Sequence, residues 1–261
     1  MTPLAFTDTG HGMPLVLVHA FPLDQGMWRG QIEALSDEFR VIAPDVFGFG
    51  ESPLPDGGWT MERMADALAK LLDTLEIREK IVLGGLSMGG YIGLAFAKRY
   101  PERLRGLILA DSQAGADSAE TKLSRNETIA FVNGNSAAAL IEKMLPKMLS
   151  PTTHADRPNV IADVRTLASK QTVVGVVKAL EALRDRADST ELLKTFDFPT
   201  LVIVGEDDAI TPPNLAQGMV HELHKKSALS HVPNAGHLSN LEQPELFTAI
   251  VLDWLKLLPN R

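Results

Sequence analysis

Residues 80–100 of this 261-residue chain read KIVLGGLSMGGYIGLAFAKRY, and the stretch joins two signals of secondary structure through a short turn. The apolar run at 81–83 is short and β-branched, which is typical of a buried strand. After Met88, apolar residues recur at three- and four-residue intervals, which is typical of a helix. The pattern G-x-S-x-G occupies residues 85–89, between the two. The stretch therefore predicts a strand, a tight turn and a helix in that order.

Ser87 stands at the centre of this turn, with a glycine two residues away on either side. A turn this tight holds the serine in a strained backbone conformation, and the glycines avoid clashes. The turn would point the Ser87 hydroxyl away from the sheet. It would also set the backbone N–H of Met88 at a helix N-terminus, where developing negative charge is favoured. Glycine-rich turns of this kind also bind phosphate or serve as plain connections, so residues elsewhere in the chain must decide its role.

The composition is that of a globular protein and argues against several classes of function. Hydrophobic residues make up 45% and charged residues 22% of the chain. The net charge is -8 without a cluster of lysine or arginine, so we expect neither a nucleic-acid partner nor a membrane partner. Cysteine is absent, which excludes a thiolate nucleophile and a cysteine-ligated metal. We find no signal-peptide pattern at the start and expect a cytoplasmic protein.

Strand-like and helical patterns alternate along most of the chain. Short apolar runs predict buried strands at 15–18, 40–43, 107–110, 200–204 and 228–232, and a short edge strand or hairpin near 4–7. The clearest helical patterns lie at 60–75, with Thr60 as the N-cap, and at 244–258. Such alternation predicts an α/β fold with a mostly parallel sheet and helices on both of its faces.

The segment 113–193 differs, because strand-like runs nearly vanish and several helical patterns follow one another. We interpret it as a helical lid, inserted over the C-terminal ends of the strands, where Ser87 points. The core domain would then consist of residues 1–112 and 194–261. A separate helical domain with its own core is the alternative. Met144 and Met148 of this segment are candidates for lining a pocket, although such a stripe is more often core.

Three side chains with complementary chemistry occupy loops that follow predicted strands. A serine hydroxyl becomes a good nucleophile when a histidine accepts its proton, and the imidazole needs a carboxylate to hold its tautomer. Ser87, Asp208 and His237 would meet at one edge of a parallel sheet, in the chain order that an α/β-hydrolase arrangement requires. Asp207 and Asp208 could instead cap the next helix. Asp111, after the preceding strand, is a second candidate for the acid.

With these residues identified, nearly the whole chain resembles the α/β-hydrolase fold superfamily. The resemblance rests on five segments, namely His19-Ala20-Phe21-Pro22-Leu23, the Pro-Asp and glycine-rich loop at 44–52, the elbow at 85–89, Gly205-Glu206-Asp207-Asp208, and Asn234-Ala235-Gly236-His237. In this family the acid usually stands three residues after the glycine, which favours Asp208 over Asp207. The resemblance also implies that the backbone N–H groups of Phe21 and Met88 form an oxyanion hole.

The first of these segments departs from the family at one position. Ala20 replaces the usual glycine, and alanine would be strained if the position needs a positive φ. His19 is interpreted as a structural residue that fixes the loop through hydrogen bonds. Pro22 stands where the perhydrolase-like members also carry proline, which keeps that side activity open.

Among subgroups, the chain most resembles bacterial arylesterases, cofactor-free haloperoxidase or perhydrolase-like enzymes, and 3-oxoadipate enol-lactonase-like enzymes. The resemblance implies a serine hydrolase that cleaves small carboxylic esters through an acyl-enzyme, without a metal or cofactor. Its partner would be a small-molecule ester or lactone, bound in an apolar pocket formed by Leu23, Trp28, Met144 and Met148. A lactonase, a perhydrolase and a ligand receptor without turnover are the alternatives.

Overall fold

A computed structural model describes residues 3–223 and 227–259 of the protein. Residues 1–2, 224–226 and 260–261 of the predicted core domain lie outside the described residues. Within the described part, the strands are β1 (Phe6–Thr9), β2 (Met13–Val18), β3 (Phe39–Pro44), β4 (Ile81–Leu86), β5 (Leu104–Ala110), β6 (Thr200–Gly205) and β7 (Ser227–Val232). They form one sheet in the order β1-β3-β2-β4-β5-β6-β7.

All neighbouring strands pair in parallel except β1, which pairs with β3 in the antiparallel direction at the edge of the sheet. The predicted mostly parallel sheet is therefore confirmed. The first strand lies at the edge, as expected, but it starts at Phe6 rather than Leu4. Its partner is β3 and not the neighbouring β2, so the alternative of an N-terminal hairpin is wrong.

The helices of the described residues alternate with these strands in the first and last parts of the chain. Their bounds are α1 (Arg29–Leu35), α2 (Met61–Thr74), α3 (Met88–Arg99), α4 (Ala119–Asn133), α5 (Ala137–Met148), α6 (Pro151–Asp156), α7 (Pro158–Ser169), α8 (Val173–Asp185), α9 (Thr190–Leu193), α10 (Pro213–Glu222), α11 (Ser239–Glu242) and α12 (Pro244–Lys256). Thr60 caps α2 as predicted, since its side chain accepts a hydrogen bond from the backbone N–H of Arg63 at 3.2 Å.

Both faces of the sheet are buried, which explains why its central strands read as continuous apolar runs. Side chains alternate between the faces along a strand. In β2, for example, Val16 and Val18 pack on the side of α2 and α3, and Leu15 and Leu17 pack on the side of α1 and α12. The helices therefore cover two separate cores, and the loops at the strand ends remain at the rim.

The helices α4 to α9 occupy the whole stretch between β5 and β6 and contact loops at the carboxyl edge of the sheet. Gln171 accepts a hydrogen bond from the backbone N–H of Gly50 at 3.0 Å, in the loop after β3. The carbonyl oxygen of Met148 accepts one from the backbone N–H of His237 at 2.8 Å, in the loop after β7. These contacts join the inserted helices to the loops after β3 and β7, and the division of the chain into core and lid stays a prediction. Within the described residues, no helix has the length and apolar composition that a membrane span requires.

Candidate active site

The turn between β4 and α3 holds Ser87 with φ 53° and ψ -111°, a conformation that non-glycine residues rarely adopt. The two flanking glycines are required by close contacts between main chains. A β-carbon on Gly85 would lie 2.1 Å from the carbonyl oxygen of Gly89, and one on Gly89 would lie 2.1 Å from that of Val18. The strained serine and the role of both glycines agree with the prediction from the sequence.

Hydrogen bonds from β5 and the loop after it hold this strained residue in place. The backbone N–H of Ser87 donates to the carbonyl oxygen of Ala110 at 2.8 Å. The hydroxyl of Ser112 donates to the carbonyl oxygen of Ser87 at 3.0 Å. The neighbouring strand therefore fixes the direction in which the Ser87 side chain leaves the turn.

Ser87, His237 and Asp208 form one hydrogen-bonded series. The Ser87 Oγ atom lies 2.8 Å from His237 Nε2, and His237 Nδ1 lies 2.8 Å from Asp208 Oδ2. A carboxylate at Nδ1 favours the tautomer that carries its proton there, which leaves Nε2 to accept the serine proton. The structure thus brings together the three residues singled out in the sequence. Asp207, by contrast, is exposed, and its backbone N–H donates to the carbonyl oxygen of Ala235.

The Asp208 carboxylate is held by its own loop as well as by His237. Its Oδ1 atom accepts from the backbone N–H groups of Ile210 at 2.8 Å and Thr211 at 2.9 Å, and its Oδ2 atom accepts from the Thr211 hydroxyl at 2.7 Å. Burial acts to raise the pKa of Asp208, but the charge of His237 and these hydrogen bonds together lower it below its ordinary value. The sequence reasoning missed Thr211, although Asp-x-x-Thr before a proline is a local signal of such a turn.

His237 is almost completely buried, at 2% exposure. Burial is the largest single influence on its pKa and acts to lower it. The charge and hydrogen bond of Asp208, with smaller effects of Asp111 and Glu242, act in the other direction, and the pKa ends above its usual 6.5. His237 therefore binds a proton more readily than an ordinary histidine does, as a general base must.

Asp111, the second candidate acid, is fully buried behind this series and does not belong to it. Its Oδ1 atom accepts from the backbone N–H of Gly205 at 2.8 Å, and its Oδ2 atom accepts from the hydroxyl of Ser239 at 2.5 Å. Burial, reinforced by the charge of Asp208, raises the pKa of Asp111 to about 8. Asp111 therefore joins the acid loop to the histidine loop instead of contacting His237.

Phe21 lies in the loop after β2, and Met88 is the first residue of α3, directly after Ser87; their role as an oxyanion hole stays a prediction. No described residue accepts a hydrogen bond from the backbone N–H of either one. Ala20 does not belong to the described non-glycine residues with positive φ, so the replacement of glycine introduces no strain there. His19 fixes the loop as predicted: Nε2 accepts from the backbone N–H of Val46 at 2.8 Å, Nδ1 lies 3.0 Å from the Ala20 carbonyl oxygen, and burial lowers its pKa.

The four residues suggested for an apolar pocket have different positions. Leu23 and Trp28 are fully buried on the face of the sheet that carries α1 and α12, and the Trp28 ring packs on Phe247 at 6.0 Å between centroids. The side chain of Met148 is buried in the same cluster, whereas Met144 of α5 is half-buried. The structure thus gives Leu23, Trp28 and Met148 core positions, and contact of the four with substrate stays a prediction.

The fold and the residues at its carboxyl edge define an α/β hydrolase. A model of the alpha/beta hydrolase fold family matches residues 13–244, and the chain belongs to this family.

Similar proteins include both esterases and enol-lactonases. The thermophilic esterase from Thermogutta terrifontis is 46% identical, with a TM-score of 0.94 over 97% of this chain and 93% of that one. The enol-lactonase from Burkholderia xenovorans is 28% identical, with a TM-score of 0.89 over 97% and 96%. By sequence, the chain is 27% identical to 3-oxoadipate enol-lactonase 2 of Acinetobacter baylyi over 237 residues. The matched region covers 91% of this chain and 86% of that protein.

Proposed function

We propose that this hydrolase cleaves small carboxylic esters through an acyl-enzyme on Ser87. The observation that carries the proposal is the unbroken series from Asp208 through His237 to the Ser87 hydroxyl, with 2.8 Å at both steps. A series of this kind activates a serine for attack on an acyl carbon. The 46% identity to an esterase supports the choice of ester substrates.

In the first half of the reaction, Ser87 Oγ attacks the ester carbonyl carbon while His237 Nε2 takes the serine proton. Asp208 stabilises the imidazolium that forms, and its contact with Nδ1 keeps the ring in the productive orientation. The N–H groups of Phe21 and Met88 would bind the oxyanion of the tetrahedral intermediate. When the intermediate collapses, His237 gives the proton to the leaving alcohol and an acyl-Ser87 ester remains.

In the second half, water replaces the alcohol and the same groups act again. His237 takes a proton from water, the hydroxide attacks the acyl carbon, and the second tetrahedral intermediate uses the same two N–H groups. Its collapse breaks the bond to Ser87 Oγ, which regains its proton from His237. The products are the carboxylic acid and the free enzyme.

The test is hydrolysis of p-nitrophenyl esters from acetate to octanoate by the wild type and by Ser87→Ala. We expect turnover of short esters by the wild type and a loss of about 10⁴-fold or more in kcat for the variant, because only oxyanion stabilisation and binding remain. A phosphonate probe should label the wild type at Ser87. A wild type that neither hydrolyses any ester nor reacts with the probe would overturn the proposal and favour the receptor alternative.

Lactone hydrolysis is the second candidate, and the similarity to two enol-lactonases favours it. A lactone is an internal ester, so the chemistry at Ser87 is unchanged and the leaving alcohol stays attached to the acyl group. The values of kcat/KM for 3-oxoadipate enol-lactone and for the best p-nitrophenyl ester should be compared on one preparation. A lactone value at least a hundredfold higher would assign the enzyme as a lactonase.

A further inference from the structure

Glu242, the last residue of α11, is a fully buried carboxylate that the reaction steps do not use. Its Oε1 atom accepts from the backbone N–H groups of Gly236 at 2.8 Å and Leu238 at 3.3 Å. Its Oε2 atom accepts from the backbone N–H of Ser150 and from the hydroxyl of Thr153, both at 2.7 Å. All four donors are neutral N–H or O–H groups. Their hydrogen bonds to the buried carboxyl group replace those that water would otherwise supply.

The four donors come from two separate parts of the chain, the histidine loop and the start of α6. Gly236 and Leu238 are the immediate neighbours of His237, one on each side. Ser150 and Thr153 lie 92 and 89 residues from Glu242 and belong to the first turn of α6. The Glu242 carboxylate therefore joins the loop that carries His237 to the inserted helices.

Further contacts around Glu242 strengthen the same connection. The backbone N–H of His237 donates to the Met148 carbonyl oxygen at 2.8 Å, and the Ser150 hydroxyl donates to that of Asn234 at 3.1 Å. A β-carbon on Gly236 would lie 2.8 Å from the Ser150 backbone nitrogen, so the two segments already touch. The histidine loop is thus held against α6 from several sides.

We propose that Glu242 is a positioning residue for His237, holding the histidine loop against α6 so that Nε2 stays in reach of Ser87 Oγ. The inference rests on the proposed function, in which that 2.8 Å contact transfers the proton. A displacement of about 1 Å at a reacting group can cost about a hundredfold in rate. Loss of the Glu242 hydrogen bonds should therefore lower the rate measurably. A purely structural carboxylate would affect the amount of folded protein and leave the rate per folded molecule unchanged.

The variant Glu242→Gln tests the inference with almost no change of shape. Each carboxylate oxygen accepts two hydrogen bonds, so the amide nitrogen faces donors whichever way the side chain turns. Glu142→Gln is the matched control: it makes the same change in α5, where Glu142 pairs with Arg165 and is 54% exposed. We expect kcat of Glu242→Gln to fall about a hundredfold with KM within threefold, and Glu142→Gln to match the wild type.

Two readouts do not depend on the choice of substrate. The rate at which a phosphonate probe labels Ser87 should fall in Glu242→Gln by a factor similar to that of kcat. The downfield proton NMR signal of His237 Nδ1–H, which reports its hydrogen bond to Asp208, should shift or broaden in Glu242→Gln and stay in place in Glu142→Gln. If Glu242→Gln does not fold, Glu242→Asp, which keeps the charge and shortens the side chain, takes its place, with a smaller loss expected.

The outcomes separate the inference from the proposed function. If the wild type neither turns over esters nor reacts with the phosphonate, the esterase proposal fails, and the NMR signal alone then tests the position of His237. If Glu242→Gln retains wild-type kcat, labelling rate and NMR signal, Glu242 does not position His237 and the inference is wrong. A lowered melting temperature with unchanged kcat per folded molecule would equally overturn it.

Discussion

Two loops at the carboxyl edge of the sheet each carry a buried aspartate, and the surroundings of these two carboxylates differ. Asp208, after β6, contacts the His237 imidazole at 2.8 Å, and its pKa is lowered. Asp111, after β5, accepts hydrogen bonds from neutral groups of Gly205 and Ser239, and burial raises its pKa to about 8. The pKa of the Asp208 carboxyl is therefore lowered, whereas that of the Asp111 carboxyl is raised.

The difference shows that a position at the end of a strand does not by itself make an acid functional. Both residues satisfy the sequence rule that an acid follows a strand of the parallel sheet. What separates them is the partner: a group that can carry positive charge favours the ionised form, and burial among neutral donors does so much less. We infer that Asp208 acts on His237 through its charge, whereas Asp111 acts by connecting the loops of Gly205 and Ser239.

The largest expected effect is that of Asp208→Asn on turnover. The amide cannot supply the negative charge that stabilises the imidazolium, and it favours the wrong tautomer of His237, so we expect kcat/KM to fall about 10⁴-fold. Asp111→Asn should lose less than about tenfold, because the Asp111 carboxyl contacts Gly205 and Ser239 and no reacting group. Ester hydrolysis at pH 7 by both variants measures the difference, and equal losses would contradict the contrast between the two acids.

The same contrast predicts how Asp111→Asn changes stability with pH. The folded-state pKa of about 8 lies above the ordinary value of 3.8, so the folded protein holds this proton after the unfolded chain has released it. Asp111 therefore lowers the stability of the wild type progressively from about pH 4 to about pH 8, and the penalty stays constant above that. The free energy of unfolding of Asp111→Asn minus that of the wild type should rise by a few kcal/mol over this range. Urea denaturation of both proteins at several pH values measures the difference, and a pH-independent difference would show that Asp111 is ionised in the folded state.

The pH dependence of turnover distinguishes the two acids in another way. His237 accepts the serine proton only when it is neutral, so kcat/KM should fall about tenfold per pH unit below its pKa, which lies above 6.5. Removing the charge of Asp208 lowers that pKa, so the residual activity of Asp208→Asn should decline at a lower pH than that of the wild type. A midpoint that moves more in Asp111→Asn than in Asp208→Asn would reverse the assignment.

Local signals in the sequence were enough for the elbow and for most of the sheet. These signals are local: each of them involves residues only a few positions apart, so spacing alone reveals it. They are the glycines around Ser87, the apolar runs and the helix N-cap at Thr60. The apolar residues of α4 do not form one buried face, and Leu123 is 64% exposed, so their spacing does not predict this helix. Tertiary contacts stabilise such a helix, and spacing does not report them.

The roles of the buried acids Asp111 and Glu242 could not be predicted from the sequence, for a related reason. The protonation of Asp111 depends on burial and on Gly205 and Ser239, which lie 94 and 128 residues away. The role of Glu242 depends on Ser150, 92 residues earlier. Neither set of partners has a local pattern, so a sequence could offer Asp111 as a candidate acid and give no sign of Glu242.

A much smaller effect than that of Asp208→Asn is expected at Thr211, whose hydroxyl donates to Asp208 Oδ2 at 2.7 Å and lies 3.2 Å from His237 Nδ1. Thr211→Val keeps the shape of the side chain and removes one hydrogen bond from a neutral donor to the charged Asp208 carboxylate, which contributes about 1.5 kcal/mol, so kcat should fall about tenfold. Thr211→Ser restores the hydroxyl and should recover most of this loss. If Thr211→Val matched the roughly 10⁴-fold loss of Asp208→Asn, the Asp208 carboxylate would act chiefly through its geometry and not through its charge. A modest loss rescued by serine is the outcome that a charge-based role for Asp208 requires.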